Sequence, residues 1–235
     1  MLKHNIKHPQ FGISDYWRMY QARGIQLPFK YFVETHLFDL LNNTDTHTWL
    51  PKNQHETIPE NFEHGTFYMS SWTSEIQNSF HVIDKLIGNE FSEYSFIDIG
   101  CGKGKVVLTW RKTCAQARKS QAIFGIDYYE PFLNIARNNN QRVFHDDGNY
   151  SYEDATKTRF QAYGDKLIIY LANPFDEFIL EKVIANLSSS KSIIIYNYPV
   201  HGEIITKHGY KLIYEKMGSL PLAQTRIYSN QITTT

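Results

Sequence analysis

The stretch Phe96-Ile97-Asp98-Ile99-Gly100-Cys101-Gly102-Lys103-Gly104-Lys105-Val106-Val107-Leu108 decides how the rest of the chain is read. It opens as an apolar run broken by one acid. Three glycines follow at alternate positions, and Val106, Val107 and Trp110 then begin a helical apolar pattern. That is the pattern of a strand, a tight turn and a helix N-terminus. Glycine is needed where backbone takes a left-handed conformation or lies against a ligand without a Cβ in the way. The first N–H groups of a helix can serve a polar ligand. The spacing argues against two ligands. A dinucleotide fingerprint wants glycine at position 105, where Lys105 stands, and a phosphate-cradling loop wants Ser or Thr at 106, where Val106 stands. A glycine-rich turn with no ligand is the bland alternative.

Downstream of this turn the pattern is regular. Ala122–Asp127 reads as a second strand ending in an acid, and Glu130-Pro131 starts a helix with proline in its first turn. Residues 145–165 are polar, with a short strand near Tyr150–Tyr152. Lys166–Leu171 is a buried strand closed by Asn173-Pro174-Phe175, after which Asp176 caps a helix. Another strand runs from Ser192 to Tyr196, a short helix covers about 201–208, and Tyr210–Lys216 with Thr225–Tyr228 reads as a terminal hairpin. Strands alternating with helices predict a parallel sheet with right-handed crossovers. Ligands of such sheets sit at the carboxyl ends of the strands. Three polar sites fall there: the glycine turn, Asp127 and Asn173-Pro174-Phe175.

Upstream the pattern is looser. Asp15 is expected to cap a helix bearing Tyr16, Trp17 and Tyr20, and a second helical stretch follows Pro28. Residues 42–66 read as loop. Ser74 is expected to cap a helix with Ile76, Phe80, Ile83, Leu86 and Ile87 on its apolar face.

The 235 residues suffice for one α/β domain with additions, and 24 basic residues balance 24 acidic ones, so composition gives no general pull toward nucleic acid or anionic membrane. Two cysteines, Cys101 and Cys114, cannot build a disulfide framework and suit a reducing compartment. No signal peptide and no bilayer-length apolar run is evident, so a soluble, cytoplasmic protein is expected. The ten histidines carry no His-x-x-x-His pair on an expected helix, and there is no Cys-x-x-Cys, so no metal is expected.

The acid-x-Gly-x-Gly-x-Gly spacing resembles motif I of the class I S-adenosylmethionine-dependent methyltransferases, and residues 91–230 resemble the complete core of that family. The resemblance implies a Rossmann-like, seven-stranded α/β sheet with a terminal antiparallel hairpin. It divides the chain into a mainly helical cap segment, residues 1–90, and an S-adenosylmethionine-binding domain, residues 91–235. It also implies roles. Gly100, Gly102 and Gly104 let backbone pass close to the methionine part of the cofactor, and Asp98 helps hold its amino group. Asp127 accepts both ribose hydroxyls, which takes a carboxylate because both partners are donors. Asp154-Ala155 match the position that contacts the adenine amino group. Asn173, Pro174 and Phe175 occupy motif IV, where related amino-methylating enzymes hold the acceptor. The chain looks like a bacterial branch with Tyr-Leu-x-Asn-Pro-Phe in that motif. More loosely it is similar to the histone-lysine methyltransferases without a SET domain, which adds Tyr68 and Ser71 as cofactor-binding candidates. The expected function is methyl transfer to an unidentified acceptor, a nitrogen of a small molecule or protein side chain. The alternatives are a non-catalytic S-adenosylmethionine sensor and a nucleic-acid methyltransferase. The basic tail expected for nucleosome binding is not seen, which weakens the histone reading, and nucleic acid, which would need a basic face, is not favoured. Oligomeric state is open.

Overall fold

A computed structural model describes residues 12–47, 70–218 and 223–231. At its centre is β1 (Tyr94–Ile99), buried at every position. Parallel neighbours β2 (Ile123–Asp127) and β4 (Lys166–Leu171) flank it, with β3 (Tyr150–Tyr152) beyond β2 and β5 (Lys191–Asn197) beyond β4. The last strand, β7 (Thr225–Ser229), inserts antiparallel between β5 and β6 (Lys211–Lys216), giving the order β3-β2-β1-β4-β5-β7-β6. This is a mixed seven-stranded α/β sheet, with the terminal antiparallel hairpin as expected.

Strand side chains alternate between two cores, as a pleated sheet covered on both faces requires. Phe96, Ile168, Tyr170, Ile193 and Ile195 pack toward α4 (Thr73–Ile87), α5 (Lys105–Gln116) and α6 (Glu130–Phe144). Ile97, Ile99, Leu167, Ile169, Leu171 and Ile194 face α7 (Glu177–Leu187), with Ile204 and Ile205 of α8 (Gly202–Lys207) in the same cluster. Burying one such side chain contributes about 1.5–3 kcal/mol. The central strands are therefore rigid, and their carboxyl ends are fixed points.

The N-terminal part is helical: α1 (Ile13–Arg23), then α2 (Gln26–Tyr31), a π-helical turn at Phe32–Leu37 and α3 (Phe38–Asn42) in one run. Two expected caps move. Asp15 lies inside the first turn of α1, where its carboxylate accepts the Gly12 N–H at 2.8 Å, the acidic half of a capping box. The N-cap of α4 is Trp72, and the N–H of Ser74 is taken by the Glu34 carboxylate at 3.0 Å. Asp176 does cap α7, accepting the Ile179 N–H at 3.1 Å. On α4, Ile76, Phe80 and Ile83 are fully buried in the same core as β1 and α5.

Candidate functional site

The turn after β1 is built from left-handed glycines: Gly100 at φ +75°, Gly102 at +51° and Gly104 at +82°. Space matters as much as torsion. A Cβ on Gly104 would stand 2.7 Å from the Tyr150 hydroxyl and 3.0 Å from the Ala136 Cβ, and one on Gly100 would stand 2.8 Å from the Pro174 Cβ. Gly100 therefore lets Asn173-Pro174 at the end of β4 close directly onto the glycine turn.

Asp98 is 2% exposed, and its Oδ2 has no hydrogen-bond partner among the described residues. Burial, and then the nearby Asp127 charge, push its carboxyl well above the usual carboxylate range. A buried acceptor without a donor costs about 1–3 kcal/mol or more, so the position suits a ligand that brings the donor.

Asp127, at the end of β2, binds the turn. Its Oδ2 accepts the Gly102 N–H at 2.8 Å and its Oδ1 accepts the Tyr129 N–H at 2.9 Å. Burial raises its pKa to about 6, against the lowering effect of these N–H donors. A carboxylate has about four acceptor positions, so these two bonds, with the Tyr128 N–H also directed at the carboxylate, still leave capacity toward the cleft. The free space of that cleft, about 420 Å³, includes part that is open solvent. Gly100, Asp127, Tyr128, Asp154, Ala155, Phe175 and Ile179 line it. The structure thus brings Gly100, Asp127, Asp154, Ala155 and Phe175 around one space. Asp154 also caps its own turn, accepting the Thr156 N–H at 2.9 Å and hydroxyl at 2.7 Å.

Phe175 is 6% exposed and packs with Ile179 on the cleft wall. Asn173 stands at the end of β4 in a left-handed conformation, φ +49°, and its Oδ1 accepts the Tyr196 hydroxyl at 2.8 Å. Ser71 is buried and its hydroxyl faces the Tyr170 phenol in the α4-side core. Tyr68 lies outside the described residues.

Sequence reading missed the contribution of residues 34–47. Asp45 binds the Lys103 ammonium of the glycine turn at 2.9 and 3.1 Å. Asn139 of α6 ties the Asp45 and Lys103 carbonyls together at 3.0 and 3.1 Å. Lys105, 2% exposed, donates to the Glu34 carbonyl, and Lys112 donates to Asn42. The two lysines inside a glycine-rich turn were the available signal, because cations buried at a turn need partners from elsewhere. Asp39, Asp45 and His47 place three ligand-type atoms within 4.8 Å of one another. Protein donors already fill the group: Lys103 on Asp45, and Thr44, Thr46 and His47 on Asp39. A metal ion would have to displace them.

No family model matches the chain, and no curated protein does. Among solved structures it is similar to the magnesium protoporphyrin IX methyltransferase of Synechocystis PCC 6803 with bound SAM, at 15% identity and TM-score 0.48, over 85% of this chain and 93% of that one. It is similar to the ribosomal protein L11 methylase from Lactobacillus delbrueckii subsp. bulgaricus at 13% identity and TM-score 0.45, over 66% and 77%. It is also similar to the Pyrococcus abyssi tRNA (uracil-54, C5)-methyltransferase in complex with S-adenosyl-L-homocysteine, at 13% identity and TM-score 0.47, over 70% and 39%. Those proteins are methyltransferases by description. At such distances, function has to be argued from the site of this chain.

Proposed function

We propose that the chain is an S-adenosylmethionine-dependent methyltransferase. The observation that carries this reading is the convergence at the carboxyl ends of β1 and β2 of a left-handed glycine turn, the donor-less Oδ2 of the buried Asp98, and the Asp127 carboxylate facing a cleft with Asp154 and Ala155. The residues fit the cofactor chemically. Asp98 supplies an acceptor for the methionine ammonium, Asp127 has acceptor capacity for two ribose hydroxyls, and the cleft between Tyr128, Ala155, Phe175 and Ile179 has a flat base's mostly apolar surroundings. The cofactor supplies a methyl carbon already activated on a sulfonium. The chain has to orient the nucleophile in line with that carbon and keep water away. Pro174 against Gly100 brings motif IV to the cofactor-binding turn, so Asn173 is assigned to positioning the acceptor. Phe175 is assigned to the cofactor-side wall. Residues 12–47 are assigned as the cap over the turn, and α4 as part of the catalytic domain whose core it shares.

Isothermal calorimetry of the purified protein with S-adenosylmethionine and S-adenosylhomocysteine tests the reading. Micromolar binding of both is expected. Heat with NAD or ATP and none with either of these ligands would overturn it.

A further inference from the structure

The core-facing side of α6 carries a polar residue with no part in the cofactor reading. Phe132, Leu133 and Ala136 are buried at helical spacing, and Asn139 is 1% exposed where that pattern calls for an apolar side chain. A buried amide costs stability unless its hydrogen bonds are made. Here both ends of the amide are used on backbone groups. Oδ1 accepts the Asp45 N–H at 2.9 Å, and Nδ2 donates to the Asp45 carbonyl at 3.0 Å and to the Lys103 carbonyl at 3.1 Å. Backbone groups have fixed polarity, so they also fix which end of the amide is which. Three residues earlier Ala136 lies against the glycine turn, where a Cβ added to Gly104 would stand 3.0 Å from its own. Beside this contact the Lys103 ammonium pairs with the Asp45 carboxylate at 2.9 and 3.1 Å. The turn is also held from the cleft side, because Asp127 Oδ2 accepts the Gly102 N–H at 2.8 Å. A continuous run of bonds therefore leads from Asp127 through Gly102 and Lys103 to Asn139 and Asp45.

We propose that Asn139 is a positioning residue for cofactor binding: it clasps Asp45 of the proposed cap to the glycine turn, so that cap closure and cofactor binding favour each other. The inference rests on the methyltransferase reading. Glycine loses more backbone freedom on ordering than any other residue, and Gly100, Gly102 and Gly104 are all left-handed in this turn. A turn fixed in advance spares the ligand that ordering. The Asn139 amide fixes the Lys103 peptide and brings the Asp45 backbone to it. Without the amide, the Lys103 carbonyl, the Asp45 carbonyl and the Asp45 N–H lose this partner together, and the ligand has to order the turn itself. Coupling between two sites is reciprocal. A bound ligand must then hold Asp45 against the turn, although Asp45 is not among the residues that line the cleft.

The test uses the full chain and S-adenosylhomocysteine. Calorimetry first establishes the wild-type complex; no binding overturns the methyltransferase reading and this inference with it. Hydrogen exchange of the wild-type chain is then compared with and without saturating ligand. The Asp45 amide, which donates to Asn139, is expected to exchange more slowly in the complex. Folded Asn139→Ala, held well below its thermal transition, is expected to bind about tenfold more weakly, within the usual span of coupling between two sites. At saturating ligand its amides in 44–47 should show no slowing, whereas a cap held by direct contact with the ligand would still be slowed. A loss of stability alone moves neither readout, because both are taken on protein that is already folded. Asn139→Leu, closer in volume, takes the place of Asn139→Ala if that variant does not fold. With the complex formed, a wild-type Asp45 amide that ligand leaves unchanged overturns the clasp. So does unchanged affinity or persistent slowing in the variant, and in each case the methyltransferase reading stands.

Discussion

Asp127 and Asp98 are two buried acids with different needs, and both follow from burial. Asp127 accepts two backbone N–H groups, yet it still titrates near 6 because desolvation outweighs them. Binding ribose hydroxyls favours the charged carboxylate. Ligand affinity should therefore fall as pH drops through about 6, approaching tenfold per unit below that value. Asp98 is raised well above the usual carboxylate range too, chiefly by burial and then by Asp127. A ligand ammonium at its Oδ2 would favour the ionised form, so binding to the protonated acid should release protons. Calorimetry in two buffers of different ionisation enthalpy would show the release, and Asp98→Asn should abolish it. Asp127→Ala should weaken S-adenosylhomocysteine about 30- to 1000-fold, on the order of 2–4 kcal/mol for two charge-assisted bonds. A folded Asp127→Ala protein with unchanged affinity and unchanged pH dependence would remove Asp127 from the site.

At the level of elements, the helix that leads into β1 depends on a residue forty positions earlier. Trp72 at the α4 N-cap brings no capping oxygen, and Glu34 supplies it to the Ser74 N–H. An acid at a helix N-terminus also meets the positive end of the helix dipole. Glu34→Ala should cost about 1–2 kcal/mol, read as a lower urea midpoint at unchanged slope, while Glu34→Gln should recover about half. No loss in Glu34→Ala would mean that water caps α4 equally well. This long-range cap marks where the sequence stops being legible. The strands at Tyr94–Ile99, Lys166–Leu171 and Tyr150–Tyr152, the Asp176 cap and the terminal hairpin could be read because each is specified by periodicity or local chemistry. Asp127 and Asp154 could be placed at strand ends, and the structure sets them in one cleft. Ser74 was misread as a cap because the competing acceptor is distant in sequence. The bond from the Tyr196 hydroxyl to Asn173 was equally hidden, since its two residues lie at the ends of neighbouring strands. The bonds from residues 34–47 to the glycine turn follow no sequence period at all.

On the scale of the whole molecule, those bonds link the proposed cap to the glycine turn and α5, and Lys105 governs their balance. Its ammonium is 2% exposed, donates to the Glu34 carbonyl and lies over the Phe38 ring at 5.0 Å. Burial lowers its pKa to about 8 from 10.5, against the opposing effect of Glu34 and Asp39. The lowered value means that the folded protein gives up this proton more readily than the unfolded chain. Across the window from about 8 to 10.5 the unfolded chain holds more protons, so stability rises with pH there, by on the order of 3 kcal/mol over the whole span. At neutral pH the capped arrangement therefore carries the cost of a buried charge, and the cap is held less tightly than its contacts alone suggest. Lys105→Met keeps the length and apolar stem, removes the charge and leaves the Glu34 carbonyl with only the long bond from the Thr73 hydroxyl at 3.5 Å. Net of that loss, the variant should be about 1–2 kcal/mol more stable at pH 7 by urea denaturation. It should lack the alkaline rise, so the two proteins converge by about pH 9.5. Hydrogen exchange read out at pH 7 supplies the second measurement, because it separates cap opening from global unfolding. Amides in 34–47 should exchange more slowly in Lys105→Met, with the β1 and β4 amides less affected. Parallel stability curves from pH 7 to 9.5, or equal slowing throughout the chain, would show that Lys105 is not what limits the closure of the cap.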